Sequence, residues 1–435
     1  MKLFFSAAVL SLALSSTTAW AAESWTGAWS TFVKFADGAT AATLTLSEDK
    51  GAISGTSGPL DENGYWPLIV RGRSTPGGAT LDFLRRDKPV GSVALTRENG
   101  GFVGTGTLYG VAVTLTGGPP AAPGKAVRRD FTPQTYSTRF DGGIPPVLHL
   151  SLGDTVKTST LDNEGRDRTL AWRGMPGNTL TGPFYVDGAM PGDTLVVRLD
   201  SVTLNRDVAH MASGKLSARA VQAGHAQTPA AGWNRDWTLD RDKGVARPVA
   251  GGGRLAGLTL PLSPMIGSIG VAPPGNQGLA AGDLGFHGGN LDYRRLVTGA
   301  TLYFPVYQAG ALLSLGDGHA LQGDGEITGQ GLETSLEVTF TVDLIKGRNL
   351  GQVWSEDAQF VMVSGIDNSL EDSLKMATSG LARWLAERYG LNDSEIAALL
   401  GAAVEYDIAE VVDPRPHVVA RISKATLAML GEPNR

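Results

Sequence analysis

From Trp25 to about Gly118 the chain repeats short runs in which apolar and polar positions alternate between glycine turns. Examples are Ala42-Thr43-Leu44-Thr45-Leu46, Leu68-Ile69-Val70, Thr80-Leu81-Asp82-Phe83-Leu84, Val93-Ala94-Leu95 and Val111-Ala112-Val113-Thr114-Leu115. A period of two, recurring every ~8–15 residues, predicts a small antiparallel β-meander or barrel. The run Gly117-Gly118-Pro119-Pro120-Ala121-Ala122-Pro123-Gly124 sustains neither helix nor sheet and reads as a semi-rigid linker. Strand patterns resume at Val147-Leu148-His149-Leu150, Thr194 to Leu199, Leu302 to Val306 and Leu336 to Val342. Helical spacing comes late: Leu370, Leu374, Ala377, Leu381, Trp384, Leu385 and Arg388 recur at intervals of three and four, and Gly390 follows as a stop. Asn392-Asp393-Ser394 with Glu395 opens a second short helix through Leu400. The fold class expected is mainly β: a small N-terminal meander or barrel, then a β-sandwich core with an α+β C-terminal part.

The extreme N-terminus is different. Lys2, the apolar stretch Leu3 to Leu14 and Ala19-Trp20-Ala21 have the pattern of a cleavable secretory signal, which predicts a periplasmic or secreted protein. The expected organisation is a signal peptide over 1–21, an N-terminal β domain of unknown role over 22–118, a linker over 119–130 and a second domain over 131–435. No later stretch is apolar for the ~18 residues a membrane span needs.

Composition removes several function classes. The 37 Lys+Arg against 43 Asp+Glu leave a net charge of −6, which does not suit a nucleic-acid partner. There is no cysteine, so disulfides, thiolate metal ligands and cysteine nucleophiles are excluded. Gly-x-Ser-x-Gly, His-Glu-x-x-His and P-loop patterns do not occur. The six histidines, at 149, 210, 225, 287, 319 and 417, leave few addresses for imidazole chemistry.

Two polar, glycine-spaced segments hold two of those histidines: Gly285-Phe286-His287-Gly288-Gly289-Asn290-Leu291-Asp292, and Gly316-Asp317-Gly318-His319-Ala320-Leu321-Gln322-Gly323-Asp324-Gly325-Glu326. In an extended chain Asp317 and His319 share one face, as do Gln322, Asp324 and Glu326. Acids and an imidazole crowded in this way raise carboxyl pKa values unless a cation or a shared proton intervenes. That set suits a hydrolytic site, with hard ligands for a divalent ion and a carboxylate left over as base. Asp-Gly units are equally ordinary turn chemistry, and residue types alone leave both readings open.

At these segments the sequence resembles the acetamidase/formamidase family of amide hydrolases. The resemblance includes Thr181 to Ala189, Pro191-Gly192-Asp193-Thr194-Leu195, Pro264 to Pro273, His287 to Asp292, Leu302 to Val306, Gly316 to Glu326 with Glu333 beyond, and Val411-Val412-Asp413. It covers roughly Phe131 to Leu427. It implies hydrolysis of the C–N bond of a small amide to acid and ammonia, a homo-oligomer and a bound divalent metal; mixed His/carboxylate ligation suits zinc first, or manganese, and an oxygen-only set suits calcium. Spacing and resemblance together nominate His287, Asp292, Asp317 and His319 as metal ligands, Glu326 as general base supported by Asp324, and Asn290 and Gln322 as substrate-binding groups. The competing reading is a non-catalytic cell-envelope protein whose β domain grips a glycan or partner through Trp25, Trp29 and Trp66. A third reading keeps the enzyme and makes the β domain an oligomerisation module.

Overall fold

The computed structural model describes residues 24–433 apart from 37–38, 59–67, 99, 119–124, 213, 226, 230–232, 250–252 and 276. The expected signal peptide and Trp66 lie outside the described residues.

The N-terminal alternation closes on itself. Eight antiparallel strands, from Gly27–Lys34 to Val111–Gly118, pair in chain order, and the last pairs with the first through Phe32↔Thr116 and Val33↔Leu115. Inward positions such as Val33, Leu44, Val70, Leu81, Phe83 and Leu115 are buried together. The alternation in sequence is thus the inside and outside of a barrel wall. Trp25 and Trp29 are also buried, 2% and 7% exposed, and both rings pack on Phe102 with the Arg97 guanidinium over them. They fill the barrel and offer no open stacking face, which removes these two rings from the glycan-platform reading.

The sandwich follows. One sheet runs from Glu405–Glu410 at one edge, through His417–Ser423, Phe360–Ile366, Trp354–Glu356, Thr301–Pro305, Thr194–Leu204, Leu336–Ile345 and Thr155–Ser159, to Arg128–Asp130 at the other. The strand Arg128–Asp130 corrects the expected linker: its residues pair in parallel with Thr155–Ser159 and already belong to the sheet. The second sheet contains Leu180–Val186, Leu313–His319, Met265–Gly270 and Gly288–Asn290. Leu195, Val197, Phe304, Phe340 and Val342 from the first sheet share one buried core with Phe184, Ile266, Ile269, Leu313 and Leu315 from the second. The helix Leu370–Tyr389 packs Ala377, Leu381, Trp384 and Leu385 against Val361, Val363, Ala420 and Ile422. Ser369 caps its start and Gly390, at φ 68°, ends it; Asn392 and Glu395 form a capping box for the helix Asp393–Ala403.

Barrel and sandwich meet at Asp193. Its carboxylate accepts from the Thr43 hydroxyl at 2.8 Å, Lys346 Nζ at 2.5 Å, and the backbone N–H groups of Gly347 at 2.8 Å and Met190 at 2.9 Å.

Candidate active site

The site is built on three neighbouring strands. Met265–Gly270 pairs antiparallel with Leu313–His319 on one side and with Gly288–Asn290 on the other. In the strand Gly288–Asn290, both glycines have positive φ, and a Cβ on Gly289 would stand 2.1 Å from the Asp283 carbonyl oxygen. This close approach explains the paired glycines between His287 and Asn290. The chain then turns so that the N–H groups of Leu291 and Asp292 both reach the Gly267 carbonyl, at 2.9 and 3.2 Å. Asp292 is thereby delivered beside Asp317.

Three acids here occupy left-handed backbone: Asp292 at φ 40°, Asp317 at φ 52° and Glu326 at φ 44°. Such conformations cost non-glycine residues on the order of 1–3 kcal/mol each and persist where the surroundings impose them. Here the side chains converge. His319 Nε2 lies 3.2 Å from Glu333 Oε1, 3.6 Å from Asp317 Oδ2 and 3.7 Å from Asp292 Oδ1. All four residues are buried, and Glu326 joins from the turn that follows. Among the described residues, Asp292/Asp317/His319 and His319/Glu326/Glu333 are the triplets whose ligand atoms lie within 4.8 Å of one another.

The surrounding amides fix this arrangement. Gln322 Nε2 donates to the carbonyls of Asp292 at 2.5 Å and Ala409 at 3.3 Å, so its Oε1 must be the partner of His319 Nδ1 at 2.7 Å. Nδ1 therefore carries a proton, and Nε2 faces the carboxylates. Asn290 Nδ2 donates to Asp292 Oδ2 and, at 2.7 Å, to Asp413 Oδ2, while its Oδ1 accepts from Ser268 Oγ and from Asn178 Nδ2 at 2.9 Å. Asn178 Nδ2 also reaches Asp317 Oδ2 at 3.1 Å. The carboxamides of Asn290 and Gln322, expected to meet substrate, have these N–H groups engaged by protein and hold the acids and the imidazole in place.

One expectation of local conformation is corrected. Residues 322–326 are not extended: Glu326 N–H turns back to the Gly323 carbonyl, and Gly325 N–H is held by the carbonyls of Ile408 and Ala409. Gln322 and Glu326 therefore point inward, while Asp324 is half exposed in an ion pair with Arg294 at 2.5 Å. His287 stands outside both triplets, its ring packed against Phe140 and Phe286 with neither nitrogen hydrogen-bonded. Burial, reinforced by Arg415, lowers its pKa to about 3 and keeps it neutral. Glu333 and Asp413 carried no role in the sequence reading; they enter the site through pairing with His319 and through Asn290.

The cluster is electrostatically costly. Burial raises Asp292 well above the usual carboxylate range, and Glu326 and Asp317 add to it against the opposing pull of His319. Burial likewise raises Glu326 well above its ordinary value against the downward pull of His319, and Glu333 and Asp413 add to the rise. Glu333 rises to about 7 and Asp413 to about 6, in both cases chiefly through burial. Burial pulls His319 down, yet Glu333 and Asp317 more than offset it and hold the ring well above an ordinary imidazole.

Glu410 gives a pH test outside the two triplets. Its Oε2 accepts the N–H groups of Val412 at 2.8 Å and Asp413 at 2.9 Å, its Oε1 is buried without a partner, and burial first, then Asp413, push its pKa to about 8. A folded pKa above the unfolded one contributes stability that is complete below the unfolded value of 4.5 and is lost as pH rises through 8. Each unit of that gap is worth about 1.4 kcal/mol. The Tm of chelator-treated protein is therefore expected to fall between pH 5 and 8, and Glu410→Gln to flatten the fall. Calorimetric curves of equal slope would show that Glu410 is ionised in the fold at neutrality.

The fold and the site together define a β-sandwich protein centred on a buried carboxylate–imidazole cluster. Residues 284–426 match the model of the Acetamidase/Formamidase family. A formamidase of Methylophilus methylotrophus is 49% identical over 61 residues, and an acetamidase of Mycolicibacterium smegmatis is 45% identical over 62; each match spans 14% of this chain and 15% of the relative. Solved structures extend the likeness. A protein described as a predicted acetamidase/formamidase of the thermophile Thermoanaerobacter tengcongensis superposes with TM-score 0.61 at 28% identity, over 71% of this chain and 99% of its own. An acetamidase of Bacillus halodurans gives 0.58 at 29%, over 69% and 99%. The chain is thus similar to acetamidases and formamidases over its sandwich, and carries an eight-stranded barrel ahead of it.

Proposed function

We propose that this protein is an exported amidohydrolase that cleaves the C–N bond of a small linear amide to the carboxylic acid and ammonia. The observation that carries the reading is the His319 ring, fixed by Gln322 with Nε2 facing three buried carboxylates. The names of the relatives, formamidase and acetamidase, support the reaction class.

The residues fit a divalent cation. Asp292 Oδ1, Asp317 Oδ1, His319 Nε2 and Glu333 Oε2 are buried without hydrogen-bond partners, and a mixed imidazole and carboxylate set suits zinc or manganese. A cation held by these four would polarise the amide carbonyl and acidify a water. The protein's own groups do the rest. Asn290, Asn178 and Gln322 hold the ligand atoms in place, and burial excludes competing water. Glu326 takes a proton from the water as its oxygen attacks the amide carbon, then delivers that proton to the departing nitrogen. Asp324, half exposed and paired to Arg294, acts on this centre only through the turn that carries Glu326.

Ammonia release from a panel of short amides by the full-length protein tests the reaction; release from none of them would end the hydrolase reading. Metal removal tests the cation. Exhaustive chelation is expected to lower Tm by about 5 °C or more and to abolish activity, with both restored by zinc or manganese. A Tm indifferent to chelator and metal would leave the four residues as a proton-sharing cluster.

A further inference from the structure

Of the carboxamides around the acid–imidazole cluster, one keeps an unspent acceptor. Gln322 Oε1 is taken by His319 Nδ1, and Asn290 Oδ1 accepts from Ser268 Oγ and from Asn178 Nδ2 at 2.9 Å. Asn178 gives its second N–H to Asp317 Oδ2 at 3.1 Å. An amide oxygen and a carboxylate oxygen both call for a donor, which sets the Asn178 amide with Nδ2 toward them and Oδ1 turned away. Among the described residues nothing donates to that Oδ1. Unlike the orphaned oxygens of Asp292, Asp317 and Glu333, it keeps access to solvent at the edge of the cluster.

The local structure holds Asn178 at this spot. The N–H groups of Gly177 and Asn178 both donate to the Asn163 carbonyl, at 3.0 and 3.2 Å, which ties off the base of the loop between them. Two residues later Leu180 pairs with Gly316, the neighbour of Asp317. Asn178 has φ 55°, a left-handed conformation that asparagine tolerates better than most residues. The oxygen and nitrogen of an amide sit ~2.3 Å apart, so Asn178 Oδ1 lies within about 5.5 Å of Asp317 Oδ2, roughly the span of one further amide group and one hydrogen bond. A free acceptor at that reach is the complement of an N–H group.

We propose that Asn178 is a specificity residue: its Oδ1 accepts an N–H of the scissile nitrogen of a primary amide whose carbonyl is held at the acid–imidazole cluster. The matching carboxylate product has an oxygen where the amide has its nitrogen, and two oxygens facing each other repel where an N–H and an oxygen bond. A site built to hydrogen-bond an N–H discriminates against an analogue that lacks it. The inference rests on the amidohydrolase reading and adds to it the side chain that tells substrate from product.

Asn178→Gly in the full-length protein tests it, because glycine takes a left-handed φ without strain and the backbone ties to Asn163 remain. For the short amide that the wild type turns over fastest, KM is expected to rise about three- to tenfold, the worth of one neutral hydrogen bond. The Ki of the carboxylate formed from that amide is expected to hold or fall, so the ratio of Ki to KM drops. The variant also loses the N–H that reaches Asp317, and that loss alone lowers kcat or weakens amide and carboxylate together. KM and Ki rising by the same factor, or KM left unchanged, would overturn the assignment of Asn178. Ammonia release from no amide by the wild type would instead end the amidohydrolase reading, and this assignment with it.

Discussion

Glu326→Gln is expected to lower kcat for a short amide by about 10²- to 10⁴-fold, with KM changed little and bound metal retained. Glutamine keeps the shape and burial of the side chain but cannot accept the proton that the attacking water would lose in the proposed reaction. The turn that carries Glu326 is tied to Ile408 and Ala409 through the Gly325 N–H, so the substituted side chain has no reason to leave the site. Stability moves the other way. A buried carboxylate whose pKa burial and like-charged neighbours already raise gains from losing its charge, so Tm should hold or increase. Reduced activity with retained or improved stability is the pattern of a group kept for chemistry. A kcat within about tenfold of the wild type would transfer the base role to Glu333 or Asp413.

The second large effect is expected from the smallest substitution. A Cβ at Gly267 would stand 2.5 Å from Asp292 Oδ1, 2.9 Å from Asp317 Oδ2 and 2.8 Å from the Asp317 carbonyl oxygen. Gly267 is the floor between two acids that must approach a common point. Gly267→Ala must push them apart or shift two paired strands, and overpacking of this kind costs about 1–3 kcal/mol. A displacement near 1 Å at a catalytic group costs about a hundredfold in rate. Activity is therefore expected to fall at least about a hundredfold, with metal affinity falling in parallel and Tm modestly lower. Unchanged activity and metal content in Gly267→Ala would show that Asp292 and Asp317 do not act at one centre.

Much of this architecture is legible in the chain, and the failures share a cause. The barrel follows from the period-two alternation between Ala42 and Leu115 because an inside and an outside are all that pattern specifies. The two helices follow from spacing and caps. For the site, the pairing of Asp317 with His319 follows from the strand Leu313–His319, yet the same rule misplaces Asp324, because residues 322–326 turn instead of extending. Alternation holds only where ladder hydrogen bonds hold the backbone, and the left-handed Asp292 and Glu326 lie beyond any strand. Asn290 and Gln322 were legible as polar residues near the centre; that their amides are consumed by Asp292, Asp413 and His319 depends on contacts between segments up to 123 positions apart. Glu333 lacks any local signal, since it reaches His319 only by strand register.

The closed barrel places its two ends together. Its first strand, Gly27–Lys34, lies antiparallel to its last, Val111–Gly118, with Ser30 opposite Gly118, so the chain enters and leaves at one rim. The next strand, Arg128–Asp130, joins the sandwich at a sheet edge, where one partner strand is enough. A module attached in this way can be gained or lost by a lineage without rethreading the sandwich, and beyond the short tether the seam that such an exchange must heal is the one around Asp193.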